Sequence, residues 1–120
     1  MVSIEDVVLL LEDDDEARTL LGDLLESEGY KVVSFSNGAE ALKYLEHAEL
    51  PCLVVLDLRM PVMDGAQFHA IMLKDPRLSK VPAIVVTAFD PSAAANLAVK
   101  RVLKKPVNVE SLLRVIRQYC

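Results

Sequence analysis

A chain of 120 residues has room for one sizeable core and not for two, so a single domain spanning 1–120 is expected. With 52% hydrophobic and 26% charged residues it reads as an ordinary soluble sequence, and no apolar run approaches membrane-spanning length. A formal net charge of −5 argues against direct attachment to a nucleic-acid backbone.

The chain opens on "MVSIEDVVLLLEDD", which lacks the basic start and small-residue cleavage site of a secretory signal; a cytoplasmic location is expected. From there, apolar β-branched runs alternate with amphipathic stretches, the pattern of an α/β fold with a parallel sheet. Strands are predicted near 6–12, 31–35, 52–57, 82–87 and 101–104, as continuous apolar runs suited to burial on both faces. After the first strand, Ala17, Leu20, Leu21, Leu24 and Leu25 form a helical stripe, and Gly29 follows where a helix stops on a left-handed residue. Asn37 with Glu40 three residues on marks a second helix start, Asp90 followed by Pro91 another. Asn108 precedes the last stripe, Val109, Leu112, Leu113, Ile116 and Tyr119. Five strand–helix units imply a three-layer sandwich.

The strand ends carry the chemistry. The first runs into Glu12, Asp13, Asp14, Asp15 and Glu16, and the third, "VVLD", stops on Asp57. In a doubly wound sheet, ligands bind beyond the carboxyl ends of the strands. Two like charges about 4 Å apart repel by roughly 4 kcal/mol at an effective dielectric near 20, so clustered carboxylates ask for a cation or a proton. An oxygen-only donor set favours a hard cation such as Mg²⁺. The fourth strand ends on Thr87 and the fifth on Lys105 before Pro106, adding a hydroxyl and an ammonium. Together these suit a phosphoryl group, with Asp57 as the nucleophile that forms an aspartyl phosphate. Taken singly, each residue reads as commonplace: acids complement a helix dipole, threonines end strands, and a Lys-Lys-Pro turn is solvated. Their order along the chain outweighs that reading.

"EDDDEAR", "LDLRMPVMDG", "VTA" and "KP" together resemble the receiver domain of two-component response regulators over essentially the whole length. The resemblance implies a flavodoxin-like (βα)5 domain with strand order 2-1-3-4-5. It assigns the acidic pair to Glu12 and Asp13, counted back from Arg18, the phosphoacceptor to Asp57, the hydroxyl to Thr87 and the lysine to Lys105. By the same resemblance Asp13, Asp57 and the Arg59 carbonyl would ligate Mg²⁺, with Glu12 acting mainly through water, while Met60, Pro61 and Gly65 shape the loop. It implies a phosphoryl donor that is a histidine kinase or phosphotransfer protein, a downstream protein partner, and no enzymatic activity beyond the domain's own phosphorylation and dephosphorylation. The output face would comprise the fourth predicted helix, around "PSAAANLAVKR", the fifth strand and the last helix. Arg59 and Phe89 would flank the line of attack of water on the phosphorylated aspartate. Two positions depart from the pattern: Val102 stands where an aromatic switch residue is usual, and Ala98 where a glycine commonly begins that segment.

Three rival readings stand beside this one. A flavin-binding domain would need a phosphate cradle where five acids stand, and an aspartyl-nucleophile phosphatase would need an acid at Arg59. A receiver-like interaction module independent of phosphorylation is the third; Val102 favours it and the intact acids, threonine and lysine oppose it. Cys52 and Cys120 have no C-x-x-C spacing and read as a buried free thiol and a terminal thiol. His47 and His69 lack companions at metal-ligand spacing and read as surface residues without a role.

Overall fold

The computed structural model describes residues 7–58, 60, 62–88 and 98–120. In chain order these form β1 (Val7–Leu11), α1 (Asp15–Ser27), β2 (Lys31–Phe35), α2 (Gly38–Leu45), β3 (Leu53–Asp57) and α3 (Gly65–Lys74). A 3₁₀ turn (Leu78–Lys80), β4 (Ala83–Thr87), β5 (Arg101–Lys104) and α4 (Val109–Tyr119) complete them. The five strands are all parallel in the order β2-β1-β3-β4-β5, the doubly wound arrangement expected. The helix predicted from Asp90 and Pro91 lies outside the described residues, so α4 is the last predicted helix.

The central strands show why a continuous apolar run suits this sheet. Along β1, β3 and β4 alternate side chains feed opposite cores. Leu9, Leu11, Val54, Leu56, Ala83 and Val85 pack with Ala41, Leu45, Phe68, Met72 and Leu78 beneath α2 and α3. Their neighbours Val8, Leu10, Leu53, Val55, Ile84 and Val86 pack with Leu25, Leu112, Leu113, Val115 and Ile116 beneath α1 and α4. Each fully buried leucine contributes about 2 kcal/mol. The edge strands differ from the sequence expectation: β2 and β5 are only half-buried, because Lys31, Ser34, Arg101 and Lys104 stand exposed on them. Charged edges of this kind deter pairing with another sheet.

The helix starts predicted at Asn37 and Asn108 and the stop predicted at Gly29 are present, and Asp14 and Asp64, not singled out from the sequence, cap two more helices. Asp14, Asn37, Asp64 and Asn108 each accept a hydrogen bond from the third residue of the helix they start, and Asp64 forms a reciprocal capping box with Gln67. Gly29 ends α1 with φ 95°, a left-handed turn that leaves its N–H donating to the Glu26 carbonyl. Arg77 closes the end of α2 from a distance, donating to the carbonyls of Leu45, at 2.6 Å, and Ala48.

Four expectations are corrected. Cys52 and Cys120 are not free thiols: they form a disulfide, their Cα atoms 5.6 Å apart, because α4 returns along the sheet to the amino end of β3. His69 is buried, since its position on α3 faces the sheet, whereas His47 is exposed as expected. Leu20, placed in the buried stripe of α1, is 66% exposed, because Leu21 and Leu25 take the face that meets the sheet. Val109 likewise sits in the first turn of α4, outside the packed stripe, and Val115 is buried in its stead.

Candidate functional site

The register of the sheet brings the predicted site residues to one edge. Leu11 pairs with Leu56, so Glu12 stands level with Asp57; Asp57 pairs with Val86, and Thr87 with Lys104. Four strands thus deliver Glu12, Asp57, Thr87 and Lys105 within a residue of the same level. The Lys105 N–H donates to the Thr87 carbonyl at 2.7 Å, extending that alignment past the end of β5. The Lys105–Pro106 peptide is cis.

The run of five acids divides its labour. Glu12 is only 2% exposed and its N–H donates to the Phe35 carbonyl at 3.1 Å, so it still belongs to the sheet. Asp13 is exposed and turns to the same concavity. Asp14 caps α1, accepting from the Ala17 N–H at 2.9 Å. Asp15 and Glu16 occupy the first helical turn, where negative charge complements the helix dipole. Arg18 ties this turn down by donating to the Glu12 carbonyl at 2.9 Å and pairing with Asp15.

One carboxylate oxygen each from Glu12, Asp13 and Asp57 lies within 4.8 Å of the others. Lys105 reaches between two of them, its Nζ donating to Glu12 and, at 3.4 Å, to Asp57. Among the described residues, one ammonium pairs with two of these three clustered carboxylates. Burial and the adjacent Asp57 push the Glu12 carboxyl above the usual carboxylate range, with Lys105 opposing them. Burial pulls Lys105 down, but Glu12 and Asp57 outweigh it and hold the ammonium above its ordinary value. Among the described residues, a raised carboxyl beside a raised ammonium marks a buried edge that holds more acid than cation. An all-oxygen set in that state fits a hard divalent cation, which would reverse the shift on Glu12.

The loop after β3 is held against the site. The Gly65 N–H donates to the Leu58 carbonyl at 2.9 Å, and the start of α3 passes so close that a Cβ on Gly65 would lie 2.3 Å from the Asp57 carbonyl oxygen. Only glycine fits there. Met60 is buried against the core, while Val62, 85% exposed, is left-handed at φ 67°, a conformation costly for a β-branched residue. Arg59, Pro61 and Phe89 lie outside the described residues. Thr87 is fully buried at the end of β4, and Val102, half-buried on β5, packs with Val99 against the α2–α3 core. Beside the site a largely apolar groove of about 330 Å³ is lined by Ala17, Leu20 and Leu21 of α1, by Pro106 and Val107, and by the site residues Glu12 and Lys105. Sequence reasoning missed this groove because it counted Leu20 as core.

A doubly wound sheet with acids on its first and third strand ends and a lysine after the fifth defines a flavodoxin-like fold with a carboxylate-lined edge. The sequence profile of the response regulator receiver domain matches residues 8–117, and the chain belongs to that family. It is 39% identical over 117 residues to a 14.6 kDa protein encoded beside sodA1 in Leptolyngbya boryana, covering 94% of this chain and 88% of that one. A response regulator receiver protein from Pseudomonas putida superposes with TM-score 0.88 at 28% identity, covering 98% and 99% of the two chains. The Mn²⁺-bound form of the response regulator Rcp1 superposes with TM-score 0.76 at 26% identity, covering 94% and 90%. Receiver domains of two-component systems interact with histidine kinases and downstream effectors. Among the described residues, no helix is long and apolar enough to cross a membrane.

Proposed function

We propose that this receiver domain, spanning 1–120, accepts a phosphoryl group on Asp57 from the phosphohistidine of a partner kinase or phosphotransfer protein, in a Mg²⁺-dependent reaction in the cytoplasm. The observation that carries this reading is the crowding of Glu12, Asp13 and Asp57 at the carboxyl edge of the sheet, two of them paired with Lys105. Asp57 presents its carboxylate as the nucleophile: a P–O bond forms to it as the donor's P–N bond breaks. Lys105 places its ammonium against the charge gathering on the phosphoryl oxygens, and Thr87 offers a hydroxyl from the adjoining strand end. Asp13, Asp57 and the Arg59 carbonyl would hold Mg²⁺, with Glu12 acting mainly through water. The ion supplies the positive charge that lets an anionic donor approach an anionic nucleophile. The metal in Rcp1 supports such a site by kinship, and the apolar groove beside Lys105 suits a protein donor better than a small one.

The test is mass spectrometry after incubation with acetyl phosphate and Mg²⁺. One phosphoryl group should add to the native chain and none to Asp57→Asn, and EDTA should stop the reaction. The phosphorylated chain should also show amide shifts along Arg101–Lys104 and α4, the described part of the output face. Undiminished phosphorylation of Asp57→Asn, or of the native chain without metal, refutes the assignment.

A further inference from the structure

We propose that Cys52 and Cys120 are a reversible thiol–disulfide site, answering to small-molecule disulfides and dithiol reductants, whose closure clamps the last turn of α4 to the start of β3. The pair lies at the end of β3 opposite Asp57 and takes no part in the phosphoacceptor site, so this inference stands apart from the function proposed above. It joins residues 68 apart in sequence, and both cysteines are half-buried, which leaves the sulfurs within reach of an exchange partner.

The surroundings accommodate both states. The Cys52 Sγ lies 3.4 Å from the Val7 carbonyl oxygen, so a thiol there has an acceptor waiting when the bond is open. Neither main chain depends on the bond. The Cys52 N–H donates to the Val7 carbonyl and the Cys120 N–H to the Ile116 carbonyl, each at 2.9 Å. Leu112, Leu113, Val115 and Ile116 are buried beneath α4 and keep the helix seated without a covalent tether. Opening therefore frees the end of the helix, Tyr119 and Cys120, and not the helix itself. Among reducing thiols an accessible disulfide opens, and it then records oxidation by closing.

Closure balances as an ordinary exchange. The thiolate of one cysteine attacks a sulfur of a small disulfide, forming a mixed disulfide and expelling one small thiolate. The second cysteine's thiolate attacks the protein-side sulfur and expels the other. Two protein thiols lose two electrons and two protons, and the small disulfide becomes two thiols.

The whole chain is equilibrated in buffers of graded glutathione to glutathione-disulfide ratio, quenched with acid and alkylated, and its free thiols are counted by mass. A single two-electron transition within the accessible ratios is expected. Amides of residues 116–120 should exchange hydrogen about ten-fold more slowly in the closed form while those of α2 are unchanged. Cys52→Ser and Cys120→Ser should each show the open-form exchange at every ratio. A pair closed at all ratios would be a permanent staple, a pair never closed would be two thiols, and equal exchange in both states would mean that nothing is clamped; each result overturns the proposal.

Discussion

The two ends of β3 are built on opposite terms. At its amino end, Cys52 is bonded to Cys120, its N–H is satisfied by Val7, and apolar side chains of α4 pack close by. At its carboxyl end, five residues on, Asp57 shares one lysine with Glu12 beside a third carboxylate, under a loop strained at Val62 and pressed in by Gly65. One strand thus joins a region held by a covalent bond and apolar packing to a region where, among the described residues, three carboxylates lie together beside one lysine. The lesson is that the core supplies stability in excess of what a crowded acidic edge removes, which is the condition the proposed phosphoacceptor role needs.

Breaking the settled end should have the largest effect on stability. Reduction of the disulfide, or Cys52→Ser, lifts a constraint on a loop of about 70 residues in the unfolded chain and should lower unfolding free energy by about 4 kcal/mol. Urea titrations of the two forms measure this. A loss below about 1 kcal/mol would show that the bond does not restrain the unfolded ensemble.

At the other end, Gly65→Ala tests how tightly the loop is pressed onto the site. The new Cβ would meet the Asp57 carbonyl at 2.3 Å, and backbone cannot move aside as a side chain does. Overpacking of this kind should cost about 2 kcal/mol and slow phosphorylation of Asp57 by shifting its main chain. Unaltered stability and phosphorylation would mean that α3 has slack to retreat.

Val62→Gly should move stability the other way. A left-handed φ of 67° penalises a β-branched residue, and the exposed side chain offers no packing in return. Glycine there should raise unfolding free energy by about 1 kcal/mol, less the entropy it adds to the unfolded chain. A midpoint that falls would show that Val62 is not strained.

The sequence disclosed these two ends unequally. The caps at Asn37 and Asn108, Gly29 and the meeting of Glu12, Asp57, Thr87 and Lys105 at one sheet edge could be read because each follows from a local pattern or from parallel register, whereas the strand order came from the resemblance to receiver domains. The pairing of Cys52 with Cys120 could not, since a separation of 68 residues carries no local signal and depends on where α4 comes to rest. His69 and Leu20 were misplaced for a related reason: both lie on helices whose facing is set by packing against the sheet, and periodicity leaves that rotation open by a residue. The strain at Val62 was equally hidden, because nothing in a valine announces a left-handed backbone.

The smallest effect is the pH dependence, which sets two buried groups, His69 and Glu12, against each other. Burial lowers the His69 pKa below its ordinary value of 6.5, so the folded chain gives up that proton before the unfolded chain does as pH rises. Its contribution to stability is present above 6.5 and lost as pH falls through the lowered value. Glu12 behaves in the reverse sense. Burial and Asp57 raise its pKa above 4.5, so above that pH the unfolded chain ionises first, and stability declines until the folded carboxyl has ionised too. Between 4.5 and 6.5, therefore, His69 tilts the profile upward with pH and Glu12 tilts it downward. Lys105 adds nothing in that window, since its raised pKa removes stability only as pH climbs beyond 10.5. Urea midpoints across pH 4 to 8 in metal-free buffer should show Glu12→Gln losing the downward limb and His69→Asn losing the upward one. Saturating Mg²⁺ should flatten the Glu12 limb in the native chain, because a bound cation lets that carboxyl ionise in the folded state without penalty. A profile indifferent to both Glu12→Gln and Mg²⁺ would mean that the three carboxylates are not short of charge, and the contrast between the two ends of β3 would reduce to packing alone.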